Sequence, residues 1–207
     1  MAVSTSSVIT QGNSKYIFSD ILKKGAQRGM LSGKTQEASK WFRDTARKFS
    51  SPSTNRLLSE KSQLRNTVEP GSMYMFAYEA KHKDTLPYYD AFPLIFPVKM
   101  LSDGFLGLNF HYLQPILRAR LMDSLYTIVS DPKIGDNAKI MLSYQMLNSA
   151  SQFTYYKPCL KRYLYSQFRS KFSYVDPQSW DIALFLPTER FQGATNSTVW
   201  SDSRKAV

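Results

Sequence analysis

The sequence predicts an α+β protein with a small antiparallel sheet or partly open barrel, formed by about residues 73–112 together with 180–186. The run 73–78 is rich in aromatic residues and contains no glycine or proline, as is typical of a strand. Asp103-Gly104 is a strong turn signal between two apolar runs. Apolar residues after Pro115 recur at helical spacing, so we expect N- and C-terminal helices around the sheet.

The first predicted strand, Met73–Tyr78, has an aromatic face and a second apolar face. Tyr74, Phe76 and Tyr78 share one face, because side chains alternate along a strand. Met73, Met75 and Ala77 occupy the other. We therefore expect both faces of this strand to be covered.

A hairpin is predicted from Leu94–Met100 into Phe105–Phe110, and Gly107 allows a bulge or a close approach of another backbone. Prolines 87, 93 and 97 precede or interrupt the first of these strands. Proline cannot donate to a sheet, so that strand is expected at an edge or interrupted.

Three helices and a last strand are predicted beyond the hairpin. The first begins at Pro115 and ends near Val129, and Asp136 or Asn137 is expected to cap the second. Pro158 fits the first turn of a third helix, Cys159–Phe172, whose buried stripe would be Leu160, Leu164, Phe168 and Phe172. The strand is Trp180–Leu186, ended by Pro187.

Four parts of the chain are predicted. Residues 1–13 form a Ser/Thr-rich tail, 14–66 a basic helical segment, 67–187 the α+β core domain and 188–207 a C-terminal arm. Helices are expected near residues 16–25 and 36–49, and in a short segment carrying Leu57, Leu58 and Leu64. In the arm, Val199 and Trp200 would anchor another subunit.

The net charge of +11 is concentrated in the flanking segments. Residues 1–66 hold twelve Lys/Arg and four Asp/Glu, residues 67–155 seven against eight, and residues 156–207 eight against four. A basic flank suits contact with the phosphates of double-stranded DNA, although a solvated basic surface would have the same composition. The candidate DNA-binding residues are Arg43, Arg47, Lys48, Lys161, Arg162 and Arg169.

Other classes of protein lack support in the sequence. A single cysteine, Cys159, allows no internal disulfide, and two histidines are too few for a structural zinc site. We expect no membrane span, secretion signal, cofactor or small-molecule substrate. Gly29–Thr35 resembles a phosphate-binding loop but has three residues between its glycines where the motif needs four.

Catalysis is also not expected. His111 is the better histidine candidate, with Asp90 and Asp84 nearby, but a lone strand-end histidine is usually structural. Asp84, Asp90 and Asp103 could hold a divalent ion, yet each lies in a turn that accounts for it. Cys159 near a helix start could be reactive, although buried, inert cysteines are commoner.

Three motifs carry a resemblance over about residues 14–204. Met-Tyr-Met-Phe-x-Tyr, Leu-Pro-Tyr-Tyr-Asp-x-Phe-Pro-Leu and Gly-Phe-x-Gly-Leu-Asn-Phe-His-Tyr-Leu resemble virion proteins of T4-like, cyanophage-type tailed phages. The DNA end protector family is the best match. The resemblance implies a protein of the virion, and of the host cytoplasm during assembly, which covers DNA ends and contacts other virion proteins.

Two alternatives stay open at this point. The chain could be a structural connector of the neck, tail or baseplate, using its aromatic residues and C-terminal arm to bind other virion proteins. A magnesium-dependent nuclease is the third hypothesis.

Overall fold

The computed structural model describes residues 18–20, 23–24, 64–129, 131–177, 180–185 and 188–206. Its fold is α+β, as predicted. The strands are β1 (Leu64–Arg65), β2 (Met73–Met75), β3 (Tyr89–Asp90), β4 (Leu94–Leu101), β5 (Gly104–Asn109), β6 (Leu160–Leu164), β7 (Phe172–Val175) and β8 (Phe191–Gln192). The helices are α1 (Pro115–Val129), α2 (Asp136–Ala150), α3 (Trp180–Phe185) and α4 (Asn196–Lys205).

Six strands form one open antiparallel sheet in the order β1-β7-β2-β4-β5-β6, and β3 pairs with β8 in a separate ribbon. Strand β6 therefore lies at one edge of the sheet, while β7, which follows it in the chain, lies near the other edge. Within the described residues, no helix is both long enough and apolar enough to cross a bilayer.

The predicted hairpin is confirmed as β4 and β5, with the turn at Asp103-Gly104. A Cβ atom on Gly104 would lie 1.9 Å from the carbonyl oxygen of Tyr163, so only glycine allows β6 to pair so closely. The register shifts between Pro97 and Lys99, opposite Gly107 and Leu106, so the extra residue lies on β4, across from the glycine at which a bulge was expected. Strand β4 is central and not at an edge, and it tolerates Pro97 because the ladder is interrupted there.

Each face of the sheet is covered, as the pattern of Met73–Tyr78 predicts. Met73 and Met75 pack under the helices with Leu94, Phe96 and neighbouring apolar residues. The opposite face carries an aromatic cluster, which we define as Tyr74, Phe76, Tyr78, Phe105, Tyr163, Phe168 and Phe172.

The chain between β6 and β7 crosses the end of β2 and closes over the aromatic cluster. Phe168 forms an antiparallel bridge with Tyr78. The amide of Arg169 donates to the Ala77 carbonyl at 2.9 Å, and the amide of Glu79 donates to the Gln167 carbonyl at 3.1 Å. This crossing places residues 165–169 beside the turn of the hairpin.

The predicted helix Cys159–Phe172 is wrong. The chain forms a 3-10 turn at Thr154–Cys159, then β6, a second 3-10 turn at Tyr165–Gln167, and β7. The apolar residues recur every four positions, and a spacing of four keeps side chains on one face of either a helix or a strand. The sequence spacing therefore did not discriminate between the two structures.

The predicted strand Trp180–Leu186 is also wrong, because Trp180–Phe185 is the helix α3. Its buried residues are Trp180, Ala183 and Leu184, which have the i, i+3, i+4 spacing of a helix face. The indole Nε1 of Trp180 donates to the Val175 carbonyl at 3.1 Å and fixes the start of the helix.

Helices α1 and α2 agree with their predictions, with one change at a cap. Gly135 is the N-cap residue of α2, so the expected N-cap at Asp136 or Asn137 is wrong. In the N-terminal segment, residues 18–20 and 23–24 are helical as expected, whereas Leu64 lies in β1 and not in a helix. The predicted helix over 36–49 lies outside the described residues.

The C-terminal residues fold back on the protein. Thr195 begins α4 by accepting a hydrogen bond from the Thr198 amide at 3.2 Å. Val199 is fully buried in the core of its own chain, so the expectation that it anchors another subunit is wrong. The division of the chain into four parts stays a prediction.

Candidate nucleic-acid interface

An exposed basic surface lies where the β4–β5 turn meets the chain leaving β6. We call it the strand-end surface. It has two ion-paired clusters and an exposed tyrosine on the crossing segment between the arginines, and its residues are Glu79, Lys81, Lys83, Asp103, Arg162, Tyr165 and Arg169.

Arg162 on β6 binds the carboxylate of Asp103 in the hairpin turn. One guanidinium nitrogen donates to both carboxylate oxygens, at 2.9 and 2.7 Å. Hydrogen bonding to Arg162 is the main reason that the pKa of Asp103 is lowered, and the charge of Lys81 contributes. Both side chains of the pair are slightly more than half exposed, so the arginine remains accessible to a second anion.

Arg169 shares a single carboxylate with a lysine. Its Nε donates to Glu79 at 2.9 Å, while Lys83 pairs with the other carboxylate oxygen. The hydrogen bond from Lys83 is the main reason that the pKa of Glu79 is lowered, and the hydrogen bond from Arg169 is the next largest cause. The guanidinium also donates to the Ser166 carbonyl at 3.3 Å, which holds it beside the chain that leaves β6.

Lys161 does not join the strand-end surface. It is half-buried on β6, and its Nζ lies 4.0 Å from the ring centroid of Tyr112. Burial lowers the pKa of this lysine. The structure thus brings together Arg162 and Arg169 among the predicted DNA-binding residues and places Lys161 in an internal cation–π contact. Arg43, Arg47 and Lys48 lie outside the described residues.

A buried group of polar residues, which we call the polar clasp, fastens the C-terminal part of the chain to the sheet. The clasp joins β3, β5, β6, α1, α4 and the segment before β8 through hydrogen bonds between residues far apart in sequence. Its members are Asp90, Asn109, His111, Arg118, Tyr163, Thr188, Glu189 and Trp200.

Asp90 is the acidic centre of the clasp. One carboxylate oxygen accepts from Asn109 at 3.0 Å and lies 2.6 Å from Nδ1 of His111, while the other accepts from two backbone amides. Nε2 of His111 lies 3.1 Å from the Thr188 hydroxyl. The order acid, imidazole, hydroxyl is that of a hydrolase triad, but the His111 side chain is fully buried, so a substrate cannot reach the imidazole from solvent. The cluster is explained by its structural role.

Arg118 is the cationic centre. It is buried and donates to the backbone carbonyls of Leu113, Leu184 and His111, and it pairs with Glu189 at 2.6 Å. Nε1 of Trp200 donates to the same His111 carbonyl at 2.8 Å. Arg118 therefore ties α1 to α3 and to the C-terminal segment.

Two other candidates for chemistry are placed by the structure. Cys159 is buried, and burial raises the pKa of its thiol to about 12, which leaves it a poor nucleophile. Asp90 lies in the clasp and Asp103 on the strand-end surface, so these two carboxylates do not share a site. Among the described residues, no group of three or more metal-ligating side chains is assembled.

The clasp predicts a loss of stability in acid. Burial raises the pKa of both Asp90 and Glu189. At Asp90 this effect is outweighed by the charge and hydrogen bond of His111 and by the other hydrogen bonds to the carboxylate, and at Glu189 it is outweighed mainly by the charge of Arg118. Both pKa values are therefore lowered. These two carboxylates therefore bind protons more readily in the unfolded chain than in the folded one. Their contribution to stability is fully present above the ordinary pKa range of carboxyl groups and is lost as the pH falls through their pKa values in the folded protein. Unfolding in urea should show a plateau above about pH 5 and a decline below about pH 4.

The control for this prediction is a pair of substitutions. Asp90→Asn should lower stability at neutral pH and make the acid decline shallower, because the substituted side chain has no proton to gain. Asp103→Asn, at an exposed pair, should leave the profile nearly unchanged. Equal acid profiles for wild type and Asp90→Asn would contradict the assignment.

The fold and the site define an α+β protein with an aromatic cluster on one face of its sheet, a buried polar clasp and an arginine-bearing surface at the strand ends. The chain matches the family model described as phage T4 terminal DNA protecting protein over residues 17–203 and belongs to this family. No match was found among curated protein sequences or solved structures. The family expected from the three motifs is therefore confirmed.

The sequence suggested that Asp90 lies near His111, but it missed the rest of the polar clasp and the acidic partners on the strand-end surface. Arg162 and Asp103 are separated by 59 residues, and Arg169 and Glu79 by 90. No local pattern links residues so far apart. The signal available for the surface was the close spacing of Arg162, Tyr165 and Arg169, two cations around an aromatic residue.

Proposed function

We propose that this chain is a virion protein that binds double-stranded DNA at the genome ends and protects the ends by covering them, with no bond chemistry. The observation that carries the proposal is the family match over residues 17–203, whose description names terminal DNA protection. The partners would be DNA phosphates and other virion proteins, and the protein would reside in the host cytoplasm during assembly.

The strand-end surface supports this function because its arginines are held by exposed carboxylates. Exposed ion pairs contribute little to stability, so a phosphate can replace the carboxylate at small cost. Arginine binds phosphate and carboxylate with the same planar set of donors. Asp103 and Glu79 then hold Arg162 and Arg169 in place until DNA arrives.

The basic N-terminal segment carries a larger net positive charge than the strand-end surface. Residues 1–66 carry twelve Lys/Arg against four Asp/Glu, and we propose that Arg43, Arg47 and Lys48 contact phosphates as well. Such contacts are insensitive to base sequence. They would add affinity along the duplex next to the end.

The proposal predicts steeply salt-dependent binding of linear duplex, with the two arginines responsible for part of the slope. Replacing both Arg162 and Arg169 with glutamine should reduce the slope of log K against log salt by roughly 2, because two phosphate contacts are lost. Fluorescence anisotropy with a labelled duplex between low and moderate salt measures this slope. Affinity that does not change with salt would overturn the proposal.

Matched controls separate phosphate binding from general charge. Lys133→Gln removes an exposed cation from the loop between α1 and α2 and should leave the slope unchanged. Glu79→Gln and Asp103→Asn remove the competing carboxylates and should strengthen binding. If these two variants bind more weakly than wild type, the carboxylates do not act as exchangeable partners.

A structural connector is the second candidate. Large apolar side chains of α1, α2 and the following turn are exposed, namely Ile116, Met141 and Phe153. They could pack against another virion protein in the neck, tail or baseplate. Imaging of particles would favour this function if the chain occupies symmetric positions away from the DNA. Purified protein would then give no end protection against an exonuclease.

Incubation of DNA with the protein and magnesium should leave the DNA intact, and cleavage would indicate a nuclease.

A further inference from the structure

Tyr165 is an exposed aromatic residue with a buried aromatic support. It is 42% exposed at the start of the 3-10 turn that follows β6. Its ring centroid lies 6.0 Å from Phe168 and 6.4 Å from Phe105, with interplanar angles of 54° and 57°. These contacts with the aromatic cluster limit the movement of the ring and leave part of its surface open to solvent.

The backbone fixes Tyr165 between the two arginines of the strand-end surface. The Tyr165 amide donates at 2.9 Å to the carbonyl of Asp103, whose side chain binds Arg162. On the other side, the guanidinium of Arg169 donates to the carbonyl of Ser166, the next residue. The aromatic ring therefore lies in a short segment with an accessible guanidinium group at each end.

Base stacking distinguishes a DNA end from the interior of a duplex. Within a duplex, each base pair is covered on both faces by its neighbours, so an aromatic side chain reaches a base face only at the terminal pair or at an unpaired base. Stacking on aromatic side chains is independent of base identity. Cations beside the ring hold the flanking phosphates.

We propose that Tyr165 stacks on the terminal base pair or on an unpaired base at a DNA end, while Arg162 and Arg169 bind the adjacent phosphates. The inference rests on the proposed function and adds the means by which an end is recognised. Phe153 provides a contrast, because it is 60% exposed yet has no aromatic ring packed against it among the described residues. Exposure alone does not define the site.

The test compares linear DNA with a relaxed, covalently closed circle of the same sequence, which has no base pair with an open face. Each competes with a labelled linear duplex for wild-type protein. Wild type should prefer the linear form, and Tyr165→Ala should lose about tenfold in affinity for the linear form while keeping its affinity for the circle. Tyr165→Trp should retain the preference, and Phe153→Ala should match wild type. Thermal unfolding of each variant checks that the fold is kept.

The outcomes separate this inference from the proposed function. DNA binding by wild type without preference for the linear form would overturn the inference and leave DNA binding intact. The same conclusion follows if Tyr165→Ala lowers the affinity for linear and circular DNA equally, or if it lowers neither affinity. Failure of wild type to bind either DNA would overturn both. Blunt ends and ends with a short overhang, assayed separately, show whether a terminal pair or an unpaired base is preferred.

Discussion

Replacement of Arg118 with methionine is expected to lower the free energy of unfolding by about 3–5 kcal/mol, as for other buried ion pairs that lose one partner. The substitution removes four donated contacts and leaves the carboxylate of Glu189 without its cation. The side chain of Glu189 is only 5% exposed, so water cannot readily replace the arginine. Backbone carbonyls of Leu113 and Leu184 also lose a donor.

Urea unfolding followed by circular dichroism measures this loss. Arg120→Met is the matched control, since Arg120 lies on the same helix, is exposed, and should change the free energy by less than about 0.5 kcal/mol. Adding Glu189→Gln to Arg118→Met should recover part of the loss, because the unpaired buried charge is removed. Equal effects of Arg118→Met and Arg120→Met would contradict the role of the clasp.

The parts of the fold that sequence analysis predicted correctly have local signals. The hairpin depends on the dipeptide Asp103-Gly104 between apolar strands, and α1 depends on Pro115 followed by apolar residues at helical spacing. In both, adjacent residues determine the backbone conformation and burial reinforces it. The family was found for a similar reason, since its motifs are contiguous stretches of the sequence.

The errors occurred where local patterns fit two structures. A spacing of four from Leu160 to Phe172 is compatible with a helix and with strands, and the pairing of β6 with β5 and of β7 with β2 decides between them. In Trp180–Phe185 a short apolar run fits a strand or a buried helix equally well. Tertiary contacts, which single-sequence patterns do not contain, settled both.

The candidate interface was predicted only in part. Residue type alone made Arg162 and Arg169 candidates for phosphate binding, but neither acidic partner could be assigned, because Asp103 and Glu79 are far away in the sequence. Lys161 shows that residue type can also select a cation that does not lie on the strand-end surface. It has the same charge and neighbouring position, yet the alternation of β6 turns it toward Tyr112. Whether a cation is available to DNA is decided by the face of the strand on which it lies, not by composition.

Phe76→Ala is expected to have an effect of similar size, about 3–5 kcal/mol, because it removes a large ring from a packed core. Phe76 is 1% exposed, and its ring contacts five members of the aromatic cluster, with centroids 4.9–6.3 Å apart. Phe76→Leu keeps most of the volume and should cost clearly less. Met141→Ala, at an exposed position of α2, is the control and should have little effect.

The same variants link the core to the strand-end surface. Phe168 and Phe105 contact both Phe76 and Tyr165, so a cavity at residue 76 loosens the support beneath the exposed ring. We expect Phe76→Leu, while still folded, to weaken the preference for linear DNA and to leave binding of closed circles unchanged. Stability within about 1 kcal/mol of wild type for Phe76→Ala, measured by urea unfolding, would show that the cluster is not a packed core. Tyr165 would then lack the rigid backing that its proposed stacking role requires.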